Sequence, residues 1–291
     1  MKKILITGAG SYIGTSFERY LNENFPVQYV VDTVDMIESG WQKKSFSGYD
    51  AVFHVAGIAH SDNGKISDEK SNLYYAVNTD LTIETANKAK KDGVRQFIFM
   101  SSAIVYGNSA PIGKRKVITK DTPVSPANCY GDSKVQAENG ICPLNDASFK
   151  VVILRPPMIY GKGSKGNYPA LSRLAQKLPL FPYVKNERSM LYIENLCEFV
   201  RLMIENNESG IFFPQNSEYS NTSEVVRMIA DAHKKKIRLV KGFTWALKLL
   251  GYFTDSVNKA FGNLCYEMSA SGYKCDYTAV SLAESIRRTE I

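Results

Sequence analysis

The sequence predicts an α/β protein, a doubly wound parallel sheet with helices on both faces and a smaller carboxyl-terminal lobe. A short apolar strand at the amino terminus ends in a glycine-rich turn that opens a helix. Further apolar strands then alternate with segments of helical periodicity, which is typical of βαβ units and parallel sheets. The length of 291 residues suits one such sheet with an appended lobe.

The amino-terminal half carries the clearest alternation of strands and helices. Lys3 to Thr7 is predicted as the first strand and Tyr12 to Asn24 as the first amphipathic helix. The later strands are predicted at Val27 to Val31, Ala51 to Ala56, Gln96 to Ser101 and Val151 to Leu154, and the later helices at Leu73 to Lys91 and Tyr130 to Asn139. We therefore interpret residues 1–155 as a dinucleotide-binding domain.

The regular alternation stops at Arg155-Pro156-Pro157, and from Tyr160 onward glycine and proline are dense. The helices predicted there are Pro169 to Lys177, Ile193 to Glu205 and Ser223 to His233. We interpret residues 156–291 as mainly a substrate-binding lobe that returns some elements to the sheet. Lys248 and Gly251 interrupt the apolar segment Phe243 to Phe253, which predicts an amphipathic or core helix and not a membrane span.

The charge balance narrows the class of partner. The formal net charge is +7, from 36 basic and 29 acidic residues, but the basic residues are scattered along the chain. Basic residues scattered in this way are typical of solvated surfaces, so no nucleic-acid partner is expected. A modest positive field favours an anionic substrate such as a nucleotide diphosphate.

Cysteine and histidine usage argues against disulfides and metals. The five cysteines are odd in number and form no CxxC pair, which favours a reducing compartment. His54 and His60 lack metal-ligand spacing to any cluster of cysteines or carboxylates, so no metal site is expected. The amino terminus lacks the long apolar run of a signal peptide. We therefore expect a cytoplasmic protein with no integral membrane segment.

The residues after the first strand predict a site for a dinucleotide. The segment GAGSYIG, from Gly8 to Gly14, lies between a strand and a helix, where backbone N–H groups can reach a pyrophosphate. Asp32, at the predicted end of the second strand, could accept both hydroxyls of an adenosine ribose and would repel a 2′-phosphate. This favours NAD(H) over NADP(H), and an ordinary turn aspartate is the alternative interpretation.

Three residues predict acid/base chemistry at a carbinol. Tyr130 and Lys134 are one helical turn apart, so both side chains project from one face. We expect the ammonium to lower the pKa of the phenol toward the working range, which would make it a usable acid/base. Ser102, just after the strand Gln96 to Ser101, could hydrogen-bond the reacting oxygen. A Tyr-x-x-x-Lys pair by itself is more typical of a helix surface than of a catalytic site.

Taken together, these segments resemble the extended short-chain dehydrogenases that act on nucleotide sugars, the NAD-dependent epimerase/dehydratase family. The matching segments, in order, are TGAGSYIG from Thr7, HVAG from His54, VNTDLTIETA from Val77, SSAIVYG from Ser101, YGDSKVQAE from Tyr130 and LRPPMIYGKG from Leu154. The resemblance covers nearly the whole chain. It implies a Rossmann fold, bound NAD, a nucleotide-diphosphate sugar as substrate and a homodimer.

The resemblance also implies roles for individual residues. Ser102, Tyr130 and Lys134 would be catalytic, with Ser102 and Tyr130 also touching the substrate. The NAD site would comprise Gly8, Ser11, Tyr12, Ile13, Gly14, Asp32, Ala56, Gly57, Asn78, Ser101, Tyr130, Lys134 and Pro157. Arg188 resembles the arginine that grips the substrate diphosphate, a task that suits its paired donors, and Asn167 resembles its amide partner.

Two departures from the family pattern bear on function. Ser11 stands at the middle glycine position of the turn, which could reshape it slightly. Ala103 and Ile104 stand where the family's dehydratases carry an Asp-Glu pair, so dehydration is not expected.

The leading expectation is a UDP-hexose 4-epimerase that works through a transient 4-keto sugar. The alternatives are an NAD(P)H-dependent 4-keto reductase, which would use the same acid/base residues, and a non-catalytic dinucleotide-binding regulator. A sugar carried on a lipid diphosphate is also compatible with the basic balance and the apolar segment Phe243 to Phe253.

Overall fold

A computed structural model describes residues 1–38, 40–59 and 67–291, without the side chains of residues 255 and 256. Along these residues the strands are β1 (Lys2–Thr7), β2 (Tyr29–Val34), β3 (Ala51–His54), β4 (Gln96–Met100), β5 (Val117–Ile118), β6 (Lys150–Leu154), β7 (Met158–Tyr160), β8 (Leu180–Pro182), β9 (Met190–Tyr192), β10 (Gly210–Phe212), β11 (Arg238–Val240) and β12 (Cys265–Tyr266).

The α-helices of the described residues are α1 (Tyr12–Asn24), α2 (Asp68–Tyr74), α3 (Leu81–Lys91), α4 (Cys129–Ile141), α5 (Asn167–Lys177), α6 (Ile193–Glu205), α7 (Thr222–Ala232), α8 (Thr244–Phe253), α9 (Asp255–Phe261) and α10 (Leu282–Glu290). Short 3-10 turns cover Trp41–Lys43, Ala103–Tyr106, Cys142–Leu144 and Met268–Ser271. Within the described part of the chain, no helix has the length and apolar character that crossing a membrane requires.

The largest sheet has six parallel strands in the order β10-β6-β4-β3-β1-β2. Every residue of β3 and β4 is buried, which explains why these strands are nearly continuous apolar runs in the sequence. The predicted fold class, a parallel sheet surrounded by helices, is confirmed.

The second strand lies further along the chain than the sequence predicted. Val27 is exposed, and β2 pairs with β1 from Lys2 opposite Tyr29 to Thr7 opposite Val34. The predicted span Val27 to Val31 is therefore wrong at both ends. Apolar character alone does not show which residues pair with a neighbouring strand. Because β2 continues to Val34, Asp32 lies inside the strand, not at its end.

One long helical segment connects β3 to β4 and contains an irregularity. A π-helical turn, Tyr75–Asp80, lies between α2 and α3, and it buries the side chains of Asn78 and Thr79. A π-helical turn inserts one extra residue per turn and often occurs at a functional site. The predicted helix Leu73 to Lys91 thus begins earlier and is not uniform.

The chain divides into two compact units. The first comprises residues 1–107, 124–156 and 197–212, and the second comprises residues 108–123, 157–196 and 213–291. The first unit contains the six-stranded sheet and a core cluster that includes Leu5, Phe97 and Val151. The second contains three parallel strand pairs, β5 with β12, β7 with β9, and β8 with β11.

Candidate active site

The strand order of the large sheet reverses between β1 and β3. The chain runs from β1 to its neighbour β2 on one side and then returns to β3 on the other side. In open parallel sheets, ligands bind in the crevice at the carboxyl ends of the strands at such a reversal. The turn that begins at Gly8 follows β1, and Val55 to Gly57 follow β3, so the two segments predicted to hold NAD meet at this point.

Gly8 makes the closest approach between these two segments. Its φ angle is 92°, in the left-handed region that favours glycine. A Cβ atom at this position would lie 2.9 Å from the backbone N and Cα of Ala56. Only glycine therefore fits, and the turn remains narrow where it leads into the first turn of α1. Such a helix terminus presents unpaired N–H groups, which bind phosphate.

Ser11 fits the turn without a glycine's conformational freedom. Its backbone is extended, with φ −70° and ψ 147°, and its Oγ accepts a hydrogen bond of 3.2 Å from the Gly14 N–H. Ser11 is therefore the N-cap of α1. Gly14 allows close packing, because a Cβ there would lie 2.7 Å from Ser11 Oγ and 3.0 Å from Cγ2 of Ile6.

The side chain of Tyr12 ends in a hydroxyl without a hydrogen-bond partner among the described residues. The hydroxyl is also buried. Burial raises the pKa of this phenol above its usual value, so it keeps its proton. An unpaired buried donor is unfavourable. The groups that act electrostatically on this hydroxyl are Cys197 on α6 and Arg19, about two turns further along α1. Tyr12 and its half-buried neighbour Ile13 lie in the first turn of α1, directly after the turn that is predicted to hold the dinucleotide.

Asp32 is exposed on β2, the edge strand next to β1. Its Oδ2 accepts a hydrogen bond of 2.7 Å from the hydroxyl of Tyr49. Burial and the neighbouring carboxylate raise the pKa of Tyr49 to about 12, so the phenol remains a donor. Tyr49 thus orients the carboxylate that is predicted to bind ribose hydroxyls.

Asn78 links the segment after β3 to α4. Its Oδ1 accepts from the Ile58 N–H at 2.9 Å, and its Nδ2 donates to the Ile58 carbonyl at 3.1 Å and to the Ser133 hydroxyl at 3.2 Å. The π-helical turn directs this side chain into the buried space. A Cβ at Gly57 would lie 3.0 Å from Asn78 Oδ1 and 3.4 Å from Lys134 Nζ, so a larger residue here would crowd both polar groups.

The structure brings Ser102 and Tyr130 together. Ser102 directly precedes a 3-10 turn, and its Oγ accepts from the Ile104 N–H at 3.3 Å. Tyr130 lies in the first turn of α4, and a hydrogen bond with Ser102 lowers its pKa. Burial has the larger effect, so the net pKa of Tyr130 is raised above its usual value. This direction is opposite to the lowering by Lys134 that the sequence predicted, because loss of water outweighs the hydrogen bond.

Lys134 is buried one turn along α4. Its Nζ donates to the Met100 carbonyl at 2.9 Å and lies 4.6 Å from the centre of the Phe99 ring. Burial lowers the pKa of this ammonium to about 8, and the charge of Glu138 opposes that effect. Lys134 is therefore still largely protonated at neutral pH, with its charge held at the carboxyl end of β4.

Glu138 anchors this part of the site, and the sequence analysis did not identify it. Its carboxylate accepts from the Ser101 hydroxyl at 2.5 Å and pairs with the guanidinium of Arg155, which also donates to the Tyr106 hydroxyl. Ser101, predicted to bind NAD, uses its hydroxyl in this network. The available signal was the position of Glu138, four residues after Lys134 and on the same helix face.

His54 is part of the sheet interior. Its ring nitrogens lie 2.8 Å from Thr7 Oγ1 and 3.0 Å from Thr82 Oγ1. Burial lowers its pKa to about 3, so the ring is neutral. His54 therefore has a structural role, and His60 lies outside the described residues.

Three predicted site residues belong to the second unit. Arg188 lies just before β9, and its Nη1 donates to the Gly262 carbonyl at 3.0 Å. Burial lowers its pKa to about 10, and no carboxylate of the described residues forms an ion pair with it. Asn167 is exposed at the first position of α5, and Pro157 is half-buried just before β7. Arg188 is thus a shielded cation that can accept an anionic partner.

A model of the NAD-dependent epimerase/dehydratase family matches residues 4–213. The chain belongs to this family. The resemblance seen in the sequence is thereby confirmed, and the protein is an NAD-dependent enzyme of the extended short-chain dehydrogenase/reductase type. The narrow turn at Gly8 and the exposed carboxylate of Asp32 fit this dinucleotide.

Two related proteins align with most of this chain. The UDP-glucose 4-epimerase of Vibrio cholerae is 31% identical, over 92% of this chain and 88% of its own. The N-acetyl-alpha-D-glucosaminyl-diphospho-ditrans,octacis-undecaprenol 4-epimerase of Escherichia coli O157:H7 is 27% identical, over 89% of this chain and 81% of its own.

Solved structures share the family fold. UDP-glucuronic acid 4-epimerase from Bacillus cereus, in complex with NAD, superimposes with a TM-score of 0.74 at 18% identity, covering 99% of this chain and 97% of that chain. A dTDP-4-dehydrorhamnose reductase from Clostridium acetobutylicum superimposes with a TM-score of 0.66 at 18% identity, covering 82% and 83% of the two chains. The same fold therefore occurs in a protein named as an epimerase and in one named as a reductase.

Replacing Ser11 should separate its capping role from the shape of the turn. Ser11→Ala should lower the free energy of unfolding by about 1 kcal/mol, because the N-cap acceptor is lost, while Ser11→Gly should lower it by only a few tenths. NAD affinity of Ser11→Gly should stay within about twofold, since the native φ does not require glycine. Urea denaturation and calorimetric titration would measure both quantities, with the exposed Ser47→Ala as control. A large gain in NAD affinity for Ser11→Gly would show that serine distorts the turn.

Replacing Asp32 should relax discrimination against a 2′-phosphate. Two unit charges 4 Å apart in water repel by about 1 kcal/mol, so a doubly charged phosphate beside the carboxylate should be disfavoured by about 2 kcal/mol. Asp32→Ala should therefore improve NADP affinity relative to NAD by roughly ten- to thirtyfold. Titration with both dinucleotides measures the ratio, and Asp121→Ala removes an exposed carboxylate elsewhere. An unchanged ratio in Asp32→Ala would contradict the assignment.

Proposed function

We propose that this enzyme is a 4-epimerase of UDP-linked hexoses that works through a transient 4-keto sugar. The observation that carries the proposal is the contact of Ser102 with Tyr130, one helical turn from the buried ammonium of Lys134. This arrangement provides a proton donor and acceptor, a hydroxyl to hold the reacting oxygen and a fixed positive charge.

The proposed chemistry assigns one task to each of these side chains. Ser102 holds the oxygen at C4 of the sugar. Tyr130 first loses its own proton to water, and the phenolate then accepts the proton of the C4 hydroxyl as the alcohol becomes a ketone and returns it when the alcohol is re-formed. NAD, when bound, supplies the group that accepts a hydride and gives it back. Lys134, protonated at neutral pH, offsets the negative charge that Tyr130 acquires when it gives up its own proton.

Both relatives that match most of the chain support 4-epimerisation. Each carries 4-epimerase in its name, although one acts on UDP-glucose and the other on a sugar diphosphate attached to undecaprenol. The higher identity of the Vibrio cholerae protein, 31% against 27%, favours a UDP-sugar for this chain. The lipid-linked sugar is the second candidate, and only its carrier differs.

The residues after Ser102 argue against dehydration. Ala103 and Ile104 both lie in the 3-10 turn that follows Ser102. Because both side chains are apolar, neither provides a carboxylate for eliminating water. A 4-keto reductase would use the same Ser102 and Tyr130, and the shared fold of the reductase structures does not favour it over an epimerase. A regulator without catalytic function would not need this buried acid/base arrangement.

Arg188 is proposed to bind the substrate diphosphate. Its guanidinium is shielded from water and lacks a carboxylate partner among the described residues, which favours a doubly charged oxyanion. Asn167, exposed at the first turn of α5, is proposed as an amide donor to the nucleotide side of the substrate. A homodimer and a cytoplasmic location stay predictions from the sequence.

A panel of UDP-sugars should identify the reaction. Purified enzyme incubated with UDP-glucose, UDP-galactose and their N-acetylated forms should interconvert at least one pair without consuming NADH, because each hydride removed is returned. Chromatography of the products and release of bound NAD by denaturation provide the measurements. Stoichiometric NADH oxidation with a 4-keto sugar nucleotide, in the absence of epimerisation, would instead identify a reductase. Conversion of only the polyprenyl-linked sugar would favour the second candidate.

Tyr130→Phe should abolish turnover while leaving the dinucleotide site intact. Removing a general acid/base lowers kcat by about 100-fold or more, and the phenyl ring preserves packing. Bound NAD per chain should stay close to that of the unmodified enzyme. Tyr75→Phe, which removes a hydroxyl bonded to Asp132, serves as control and should retain most of the activity. Retained turnover in Tyr130→Phe would refute the acid/base role.

A further inference from the structure

An exposed apolar surface surrounds the helix α8 in the second unit. No residue of this ten-residue helix is buried. The large apolar side chains of the segment and their exposed fractions are Phe243 54%, Trp245 71%, Leu249 55%, Leu250 51%, Tyr252 88% and Phe253 82%. We call residues 243–253 the α8 face. Contiguous exposed apolar surface of this kind marks an interaction site, whereas single exposed residues do not.

The exposed residues of α8 follow a helical repeat. Positions 245, 248, 249, 252 and 253 are all exposed, and their spacing of three and four residues places them on one side of the helix. Positions 244, 246, 247 and 251, on the other side, are half-buried. A surface helix normally turns its apolar stripe toward the core. In α8 the apolar stripe, interrupted only by Lys248, faces solvent.

The chain that forms and precedes the α8 face is rich in cationic residues, between Asp231 and Asp255. Residues 232–254 contain no aspartate or glutamate, and their cationic residues are Lys234, Lys235, Lys236, Arg238, Lys241 and Lys248. Lys241 and Lys248 are exposed, the first just before the face and the second within it. The complementary partner is therefore apolar and negatively charged, which describes the surface of a bilayer that contains anionic lipids.

The composition of the face also favours a bilayer over a second copy of the chain. A twofold contact centred on the middle of α8 would bring each Lys248 close to its own copy, where like charges repel. A helix of ten residues is about 15 Å long, short for the roughly 800 Å² that each partner of a stable dimer buries. Trp245 and Tyr252 each combine an apolar ring with a polar atom, and such side chains are enriched at membrane–water interfaces.

We propose that the α8 face docks the protein reversibly on a membrane surface rich in anionic lipids. The helix lies in the plane of the interface, because it is too short to span a bilayer. Trp245, Leu249 and Phe253 enter the boundary between headgroups and acyl chains, and Lys241 and Lys248 contact lipid phosphates. Docking of this kind concentrates the enzyme at the membrane without a spanning segment.

The two tryptophans provide a direct reporter. Trp41 is buried in the first unit, with 6% exposed, and Trp245 is 71% exposed, so Trp41→Phe leaves Trp245 as the only tryptophan. Adding phosphatidylcholine vesicles with about one-third phosphatidylglycerol should shift its emission to shorter wavelength as the ring leaves water. Pure phosphatidylcholine vesicles should give a smaller shift, and salt should weaken the effect of the anionic ones. The absence of a shift with anionic vesicles would overturn the proposal.

Sedimentation with the same vesicles tests the face itself. The triple variant Trp245→Ser/Leu249→Ser/Phe253→Ser should lower partitioning by at least about tenfold, and Lys248→Glu should lower it selectively on anionic vesicles. The matched controls Val27→Ser/Ile37→Ser and Lys120→Glu change exposed residues elsewhere and should bind like the unmodified protein.

Two results would overturn the membrane assignment. The first is partitioning of the triple variant equal to that of the unmodified protein. The second is an unmodified protein that ignores vesicles but forms an oligomer that the triple variant dissociates, as light scattering would show; the face would then be a contact between copies. Circular dichroism and turnover of a water-soluble UDP-sugar confirm that each variant is folded.

Discussion

A buried carboxylate, that of Glu138, holds together the part of the enzyme on which its chemistry depends. It pairs with Arg155 at the end of β6 and accepts from Ser101 at the end of β4, while its own helix carries Tyr130 and Lys134. Two adjacent strands and α4 are thus joined through one group. Because leaving either member of a buried ion pair without its partner is strongly unfavourable, α4 has little freedom to move relative to the sheet.

Local signals in the sequence were sufficient for the first part of the fold. The helix predicted at Tyr12 to Asn24 has these bounds in the structure, because the capping Ser11, the flanking glycines and the apolar spacing all lie within a few residues of one another. The start of β2 was misplaced because strand pairing depends on a neighbour, not on apolar character. Propensity describes a segment, whereas register describes a pair of segments.

The sequence predicted which residues form the candidate site. It did not predict their burial or their hydrogen-bond partners. Ser102 and Tyr130 do meet, but the pKa of the phenol rises because the surrounding fold excludes water, which the spacing of two residues along a helix cannot reveal. Likewise, the Tyr49 hydroxyl bonded to Asp32 and the Arg155 guanidinium bonded to Glu138 come from separate segments of the chain. Their partners become apparent only when the segments are packed.

The π-helical turn at Tyr75–Asp80 determines how far the side chains of α3 are rotated about the helix axis relative to those of α2. A residue in an α-helix advances by about 100° around the axis, so the additional residue rotates everything that follows by that angle. Deleting a single residue from this turn would rewind it to a regular α-helix and swing Asn78 off the segment that follows β3. A change in the length of this segment would therefore preserve the position of Asn78 only if it restored the same angular offset.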